Sequence, residues 1–340
     1  MFKIGYREGR MFDDTRTNWA GDGPRPLVWA AWYPTTDEAV QAESADPSSD
    51  SAWFHTSAVA KNARISSSRE VWPVVLLSHG TGGSAQGLDW LGARLATQGF
   101  ICIGVSHHGN TSIEPYLAEG FLCWWERSAD LTKMFTLLSN TAFFSQRIDV
   151  ENVFAAGFSL GGHTVVSLAG AIYDQSLFDA FTQSAPVDMS GPREFPDLAA
   201  HAQDLMENSE PFRASFARHA DPYRDHRIKA IVSCAPAPTV RGFTPQSVSS
   251  VTVPTLILSV NGDTECPPAL CADWLLHQNP DFRKQIISLK AGHYVFLPEA
   301  TEYGRQQGAD ICVDLPTVNR RAIHDITAQK CATHFSSLVS

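Results

Sequence analysis

Short, continuously apolar runs alternate along this chain with stretches whose apolar residues recur at helical spacing. Strands are predicted at Val74–Ser78, Ile101–Val105, Ile228–Cys234, Pro254–Val260 and Gln285–Leu289, with another opening at Val153. Helical periodicity falls between them, at Leu88–Gln98, Trp124–Leu138, Thr164–Ala171 and Ala269–Leu276, and Arg320–Phe335 closes the chain. Uninterrupted apolar strands separated by helices are the pattern of a parallel sheet covered on both faces. Phe2–Arg7 and Leu27–Tyr33, the second stopped by Pro34, predict an antiparallel pair forming the sheet edge.

Two regions break this rhythm. Thr35–Glu70 is rich in Ser, Asp, Glu, Thr and Ala with little periodicity, and predicts a surface excursion with room for one short helix. Tyr173–Arg227 is polar and interrupted by Pro186, Pro192, Pro196 and Pro211, while its helical part, Leu198–Ala220, carries Leu205, Phe212 and Phe216. An insertion of this length between sheet elements predicts a helical lid over a site, the alternative being a solvent-facing decoration. The reading is one α/β domain over 1–340, with a mostly parallel central sheet and a lid insertion at 173–227.

Composition narrows the partners. With 340 residues and 44% hydrophobic content, the chain can fill a large single core. A formal charge of −10 and the lack of a Lys/Arg cluster speak against nucleic acid or an anionic membrane surface, and favour a small, neutral or apolar ligand. No run approaches the roughly 18 apolar residues of a membrane span. Met1–Asp14 has no charged start followed by an apolar block, so a cytoplasmic protein is expected, or an exported one if a leader has been removed. The 7 cysteines lack paired C-x-x-C spacing, which argues against a zinc site. Free buried thiols are expected, with Cys266–Cys271 and Cys312–Cys331 as pairs that export would allow to bridge.

Chemistry concentrates at Val153–Gly162, read Val-Phe-Ala-Ala-Gly-Phe-Ser-Leu-Gly-Gly. A strand that stops at Gly157-Phe158-Ser159-Leu160-Gly161 and runs into a helix predicts a nucleophile elbow, its serine pushed out above a helix N-terminus. Such an elbow needs an acid and a base at other strand ends. Asp263 follows Pro254–Val260, and His293 follows Gln285–Leu289, in the chain order Ser, Asp, His. Glu265 is the competitor of Asp263. His79-Gly80-Thr81 follows Val74–Ser78 and supplies an oxyanion loop, with the N–H groups of Thr81 and Leu160 as donors.

Other features compete with these. Gly80-x-Gly82-x-x-Ala85 formally matches a dinucleotide fingerprint, but the next strand ends in Ser106-His107-His108 where a ribose-binding acid is required. His163 reads as a packed core histidine and His79 as structural, while His107 and His108 have room to line the pocket. Arg127 and Asp130, at i, i+3, read as a local ion pair. Trp124, Trp125, Phe212 and Phe216 are the candidate substrate contacts. No metal-ligand spacing is present, and no cofactor is expected. The expected activity is a carboxylesterase-like hydrolysis of a small or medium-sized ester through an acyl-enzyme. An amidase, lactonase or thioesterase would use the same triad, and a binding protein without turnover is the third reading.

The chain resembles the α/β-hydrolase superfamily, and within it the predicted dienelactone hydrolases and bacterial relatives of platelet-activating-factor acetylhydrolase. The resemblance rests on Arg25-Pro26-Leu27 with Trp32-Tyr33-Pro34, Leu77-Ser78-His79-Gly80, His107 with Gly109-Asn110-Thr111, Gly157–Gly162, Gly292-His293, and Cys312 with Asn319-Arg320-Arg321. It implies a cofactor-free serine esterase with Ser159, Asp263 and His293 as triad and Thr81 and Leu160 at the oxyanion. Dienelactone hydrolases use a cysteine where this chain has Ser159.

Overall fold

In the computed structural model, residues 1–36, 42–43, 51–185 and 190–339 are described. They form ten strands: β1 Lys3–Thr17, β2 Pro24–Thr35, β3 Ala42–Glu43, β4 Ala58–Lys61, β5 Trp72–Ser78, β6 Ile101–Ser106, β7 Ile148–Phe158, β8 Ile228–Cys234, β9 Thr255–Val260 and β10 Arg283–Ser288. Their order across the sheet is β10-β9-β8-β7-β5-β6-β2-β1-β4-β3. From β10 to β6 all pairings are parallel, and β2 joins β6 antiparallel. Parallel neighbours require crossovers, and the helices predicted between the strands provide them.

The continuous apolar runs are explained by two separate cores. Val74 and Leu76 of β5 face one cluster, with Leu131 and Phe135 of the helix Glu126–Ser139 and Val165 and Leu168 of the helix Leu160–Ala169. Val75 and Leu77 face the other, with Leu91 and Leu95 of the helix Asp89–Thr97 and Phe335 of the helix Arg320–Ser336. A strand buried on both sides has no polar face to alternate with.

Two expectations about the N-terminal part change. The first strand runs to Thr17 rather than Arg7, because it pairs with β2 from Lys3↔Thr35 to Asp13↔Arg25. The β1–β2 pair is also not the sheet edge. Gly5 and Tyr6 pair with Ala60 and Lys61 of β4, which pairs in turn with β3. The described part of Thr35–Glu70 therefore holds two short strands and no helix. Strands of two and four residues are too short for periodicity to register. Residues 37–41 and 44–50 lie outside the described residues.

Within Tyr173–Arg227 the described residues form the helices Gln175–Ser184, Leu198–Asn208 and Glu210–Phe216. The single helix expected over Leu198–Ala220 is split at Ser209, whose hydroxyl accepts from Phe212 N–H and caps the second helix, with Pro211 in its first turn. Pro186 lies outside the described residues. All seven cysteines are free and buried, so neither cysteine pair considered from the sequence is bridged.

Candidate active site

Ser159 sits between β7 and the helix Leu160–Ala169 at φ 56°, ψ −118°. Serine rarely takes this conformation, and it persists only where the surroundings enforce it. The enforcement is visible. A Cβ on Gly157 would collide with the carbonyl of Gly161, and one on Gly161 with the carbonyl of Ser78, so β5, the turn and the helix meet at backbone contact. Ser159 N–H donates to Cys234 O at 2.9 Å, and Ser159 O accepts from Gly162 N–H at 2.8 Å and from Ala237 N–H at 3.1 Å.

The other two residues arrive from the ends of β9 and β10. His293 Nδ1 lies 2.8 Å from Asp263 Oδ2, and both side chains are buried. Asp263 Oδ1 accepts from Cys266 N–H at 2.7 Å, so both carboxylate oxygens are engaged. Glu265, the competing acid, lines the cavity instead. Ser159 Oγ makes its polar contact with Cys266 Sγ at 3.9 Å, and Cys266 Sγ lies 3.8 Å from His293 Nε2. Among the described residues no hydrogen bond yet joins Ser159 Oγ to His293. Such contacts are often loose before a ligand binds. Sequence reasoning missed Cys266, whose thiol burial holds well above its usual range, with Asp263 adding to the shift.

The glycine loop after β5 is held by a buried polar cluster. Arg127 donates to His79 O and, at 3.3 Å, to Ser78 Oγ. Asn110 Oδ1 accepts from Gly82 N–H at 2.7 Å, and Gly83 N–H donates to Gly80 O at 3.2 Å. These bonds occupy the N–H groups on one side of Thr81. The N–H of Leu160 opens its helix, where the helix leaves it without an internal acceptor.

The remaining histidines separate by partner. His79 Nε2 accepts from His107 N–H at 3.2 Å and Nδ1 donates to Gly80 O at 2.6 Å; burial, with Arg127 adding, holds its pKa well below the usual value. His163 stacks on Phe243, ring centroids 4.3 Å apart, and burial lowers it to about 3. The structure corrects the expectation for His107 and His108, neither of which lines the cavity. His107 is buried between Ser78 and Asp130, and His108 bonds Glu114 and Trp19 N–H. Nor do Arg127 and Asp130 form a local pair. Asp130 bonds Arg25 at 2.7 Å and Arg16 at 2.8 Å, both from the β1–β2 hairpin. Long-range packing decided this against the i, i+3 spacing.

Ser159, Cys266 and His293 open onto a cavity of about 690 Å³, a size that suits a small organic ligand. Thr81 and Leu160 line it, as do all four aromatic candidates, Trp124, Trp125, Phe212 and Phe216. The segment 173–227 supplies much of the far wall, including Phe178, Glu194 and Met206. Burial raises the Glu194 carboxyl above its usual range.

The family described as platelet-activating factor acetylhydrolase, isoform II, matches residues 53–121, a stretch that includes β5, the glycine loop and β6. No curated protein matches the chain. Among solved structures it is similar to a ferulic acid esterase from Streptomyces cinnamoneus, with 18% identity and a TM-score of 0.65 over 99% of this chain and 90% of that chain. The fold is that of the α/β hydrolases.

Proposed function

We propose that this chain hydrolyses a small or medium-sized, neutral or apolar carboxylic ester through an acyl-enzyme on Ser159. The observation that carries the reading is a serine in an enforced positive-φ turn, at one cavity wall with a buried His293–Asp263 pair. Ser159 Oγ attacks the ester carbonyl while His293 Nε2 takes its proton. Asp263 fixes the ring with Nδ1 protonated and stabilises the imidazolium that forms. The N–H groups of Thr81 and Leu160 receive the oxyanion, aided by the positive end of the helix Leu160–Ala169. His293 then protonates the departing alcohol, and water repeats the sequence on the acyl group.

The segment 173–227 acts as the lid, and Trp124, Trp125, Phe212 and Phe216 contact the apolar part of the substrate. Glu194 and Glu265 in the wall disfavour anionic esters, because a second carboxylate would be desolvated beside them. A fluorophosphonate probe tests the nucleophile, and nitrophenyl esters graded by acyl length test the substrate class. Stoichiometric labelling of Ser159 and ester turnover are expected. An unlabelled Ser159 would overturn the nucleophile, and labelling with turnover only of amides or thioesters would overturn the ester.

A further inference from the structure

Cys266 touches both Ser159 and His293, and the proposed reaction does not use it. Its sulfur lies 3.8 Å from His293 Nε2 and 3.9 Å from Ser159 Oγ, and it faces the cavity. The carboxylate of Asp263 belongs to the same group, all of whose donor atoms lie within 4.8 Å of one another. We infer that Cys266 Sγ and His293 Nε2 form a binding site for a soft divalent cation of the zinc type, and that the bound ion blocks the active site.

The spacing suits such an ion. Zinc bonds of about 2.3 Å to sulfur and about 2.0 Å to nitrogen, at a tetrahedral angle, place the two donors about 3.5 Å apart. The observed separation needs to close by only a few tenths of an ångström. Thiolate with imidazole selects zinc and similar soft ions over magnesium or calcium. Asp263 is not a ligand here, since Oδ2 holds His293 and Oδ1 holds Cys266 N–H. Through those two bonds it orients both donors, as outer carboxylates do around zinc-bound histidines. Ser159 Oγ or water completes the coordination from the cavity.

The charges facing the site favour a cation. Glu194 and Glu265 both line the cavity, with Tyr294 near them and Arg193 as the opposing cation. On binding, the Cys266 S–H bond breaks and an S–metal bond forms with the same electron pair. The proton leaves to solvent, and nothing is oxidised or reduced. With Nε2 occupied, His293 can no longer accept the serine proton. This blocking step rests on the esterase reading, whereas binding does not.

The experiment titrates Co²⁺ into the whole chain, follows the sulfur-to-cobalt charge-transfer absorption, and displaces the ion with Zn²⁺. Nitrophenyl ester hydrolysis is measured in parallel against free Zn²⁺, each variant being compared with its own metal-free rate. One equivalent of Co²⁺ with the sulfur band is expected, along with loss of hydrolysis that a chelator reverses. Cys266→Ser and Cys266→Ala both lose the band and raise the half-inhibiting Zn²⁺ concentration about tenfold or more. Cys271→Ser keeps the band. The proposal is overturned by a wild-type chain without the band, or by equal zinc inhibition in the Cys266 variants. A band in a chain with no metal-free hydrolysis would sink the esterase reading and uphold the binding site.

Discussion

Among the described residues two serine–histidine–aspartate chains run through this fold, and the one with the better hydrogen bonds is not the one facing the cavity. Ser78 Oγ lies 3.0 Å from His107 Nε2, and His107 Nδ1 lies 3.1 Å from Asp130 Oδ2. In the other chain His293 and Asp263 are bonded, but Ser159 has yet to reach the ring. What separates them is surroundings. Ser78 ends β5 in ordinary strand geometry, is wholly buried, and does not line the cavity that Ser159 faces. Burial, with Arg127 adding, lowers His107 to about 3. Burial alone would raise Asp130, but Arg25 and Arg16 outweigh it and hold the carboxylate well below its usual range. That histidine stays neutral and works as a strut. A strained turn, an open helix N-terminus and a cavity are what support the proposal that the other chain is the reactive one.

Substitutions made in parallel sharpen this contrast. Ser159→Ala is expected to lower kcat on short nitrophenyl esters by about 10⁴-fold or more. Ser78→Ala is expected to leave kcat within a few-fold while lowering stability by about 1–3 kcal/mol, since it strips a buried ring nitrogen of its partner. Equal losses of kcat in the two variants would erase the distinction.

The aspartates should divide in the same way. Asp263→Asn is expected to cost about 10⁴-fold in kcat with the fold intact. Its amide has one acceptor for two donors, His293 Nδ1 and Cys266 N–H. Asp130→Asn leaves Arg16 and Arg25 short of a buried counter-charge, and urea unfolding should register a loss of about 3–5 kcal/mol. An Asp130→Asn chain as stable as the wild type would show that the buried cluster is not a strut.

Acid gives a smaller effect with a definite sign. Burial depresses His107, His163 and His324 from 6.5 to about 3 in the folded chain. Between these values the unfolded chain binds protons that the folded chain does not. Their contribution is therefore complete above pH 6.5 and is lost as pH falls toward 3. The urea midpoint should drop between about pH 7 and about pH 5, with a shallower drop in His107→Gln. The smallest effect expected is at the cavity wall. Phe216→Ala should raise KM about 3- to 10-fold for bulky acyl groups, and less for acetyl esters.

The grouping of Ser159, Asp263 and His293 around one cavity was legible in the sequence because each member closes a local pattern. Ser159 ends an apolar strand between two glycines, and Asp263 and His293 follow apolar runs of their own. The strut was not legible. Ser78, His107 and Asp130 meet only when β5, β6 and the helix Glu126–Ser139 pack together, and Asp130 takes its cations from a distant hairpin. Cys266 carried a fainter signal. It stands three residues after Asp263, the spacing at which an aspartate captures a backbone N–H, but nothing local aims its sulfur at His293. The strands β3 and β4 were missed because length, not polarity, hid them.

The wall formed by residues 173–227 and the machinery proposed at the strand ends draw on different parts of the chain. Ser159, Asp263, His293, Thr81 and Leu160 all lie outside that stretch, while Phe178, Glu194, Met206, Phe212 and Phe216 lie within it. This places much of the cavity's far side in one contiguous stretch of the sequence. A single exchange or insertion there would reshape what Ser159 faces without touching the strand ends that hold it.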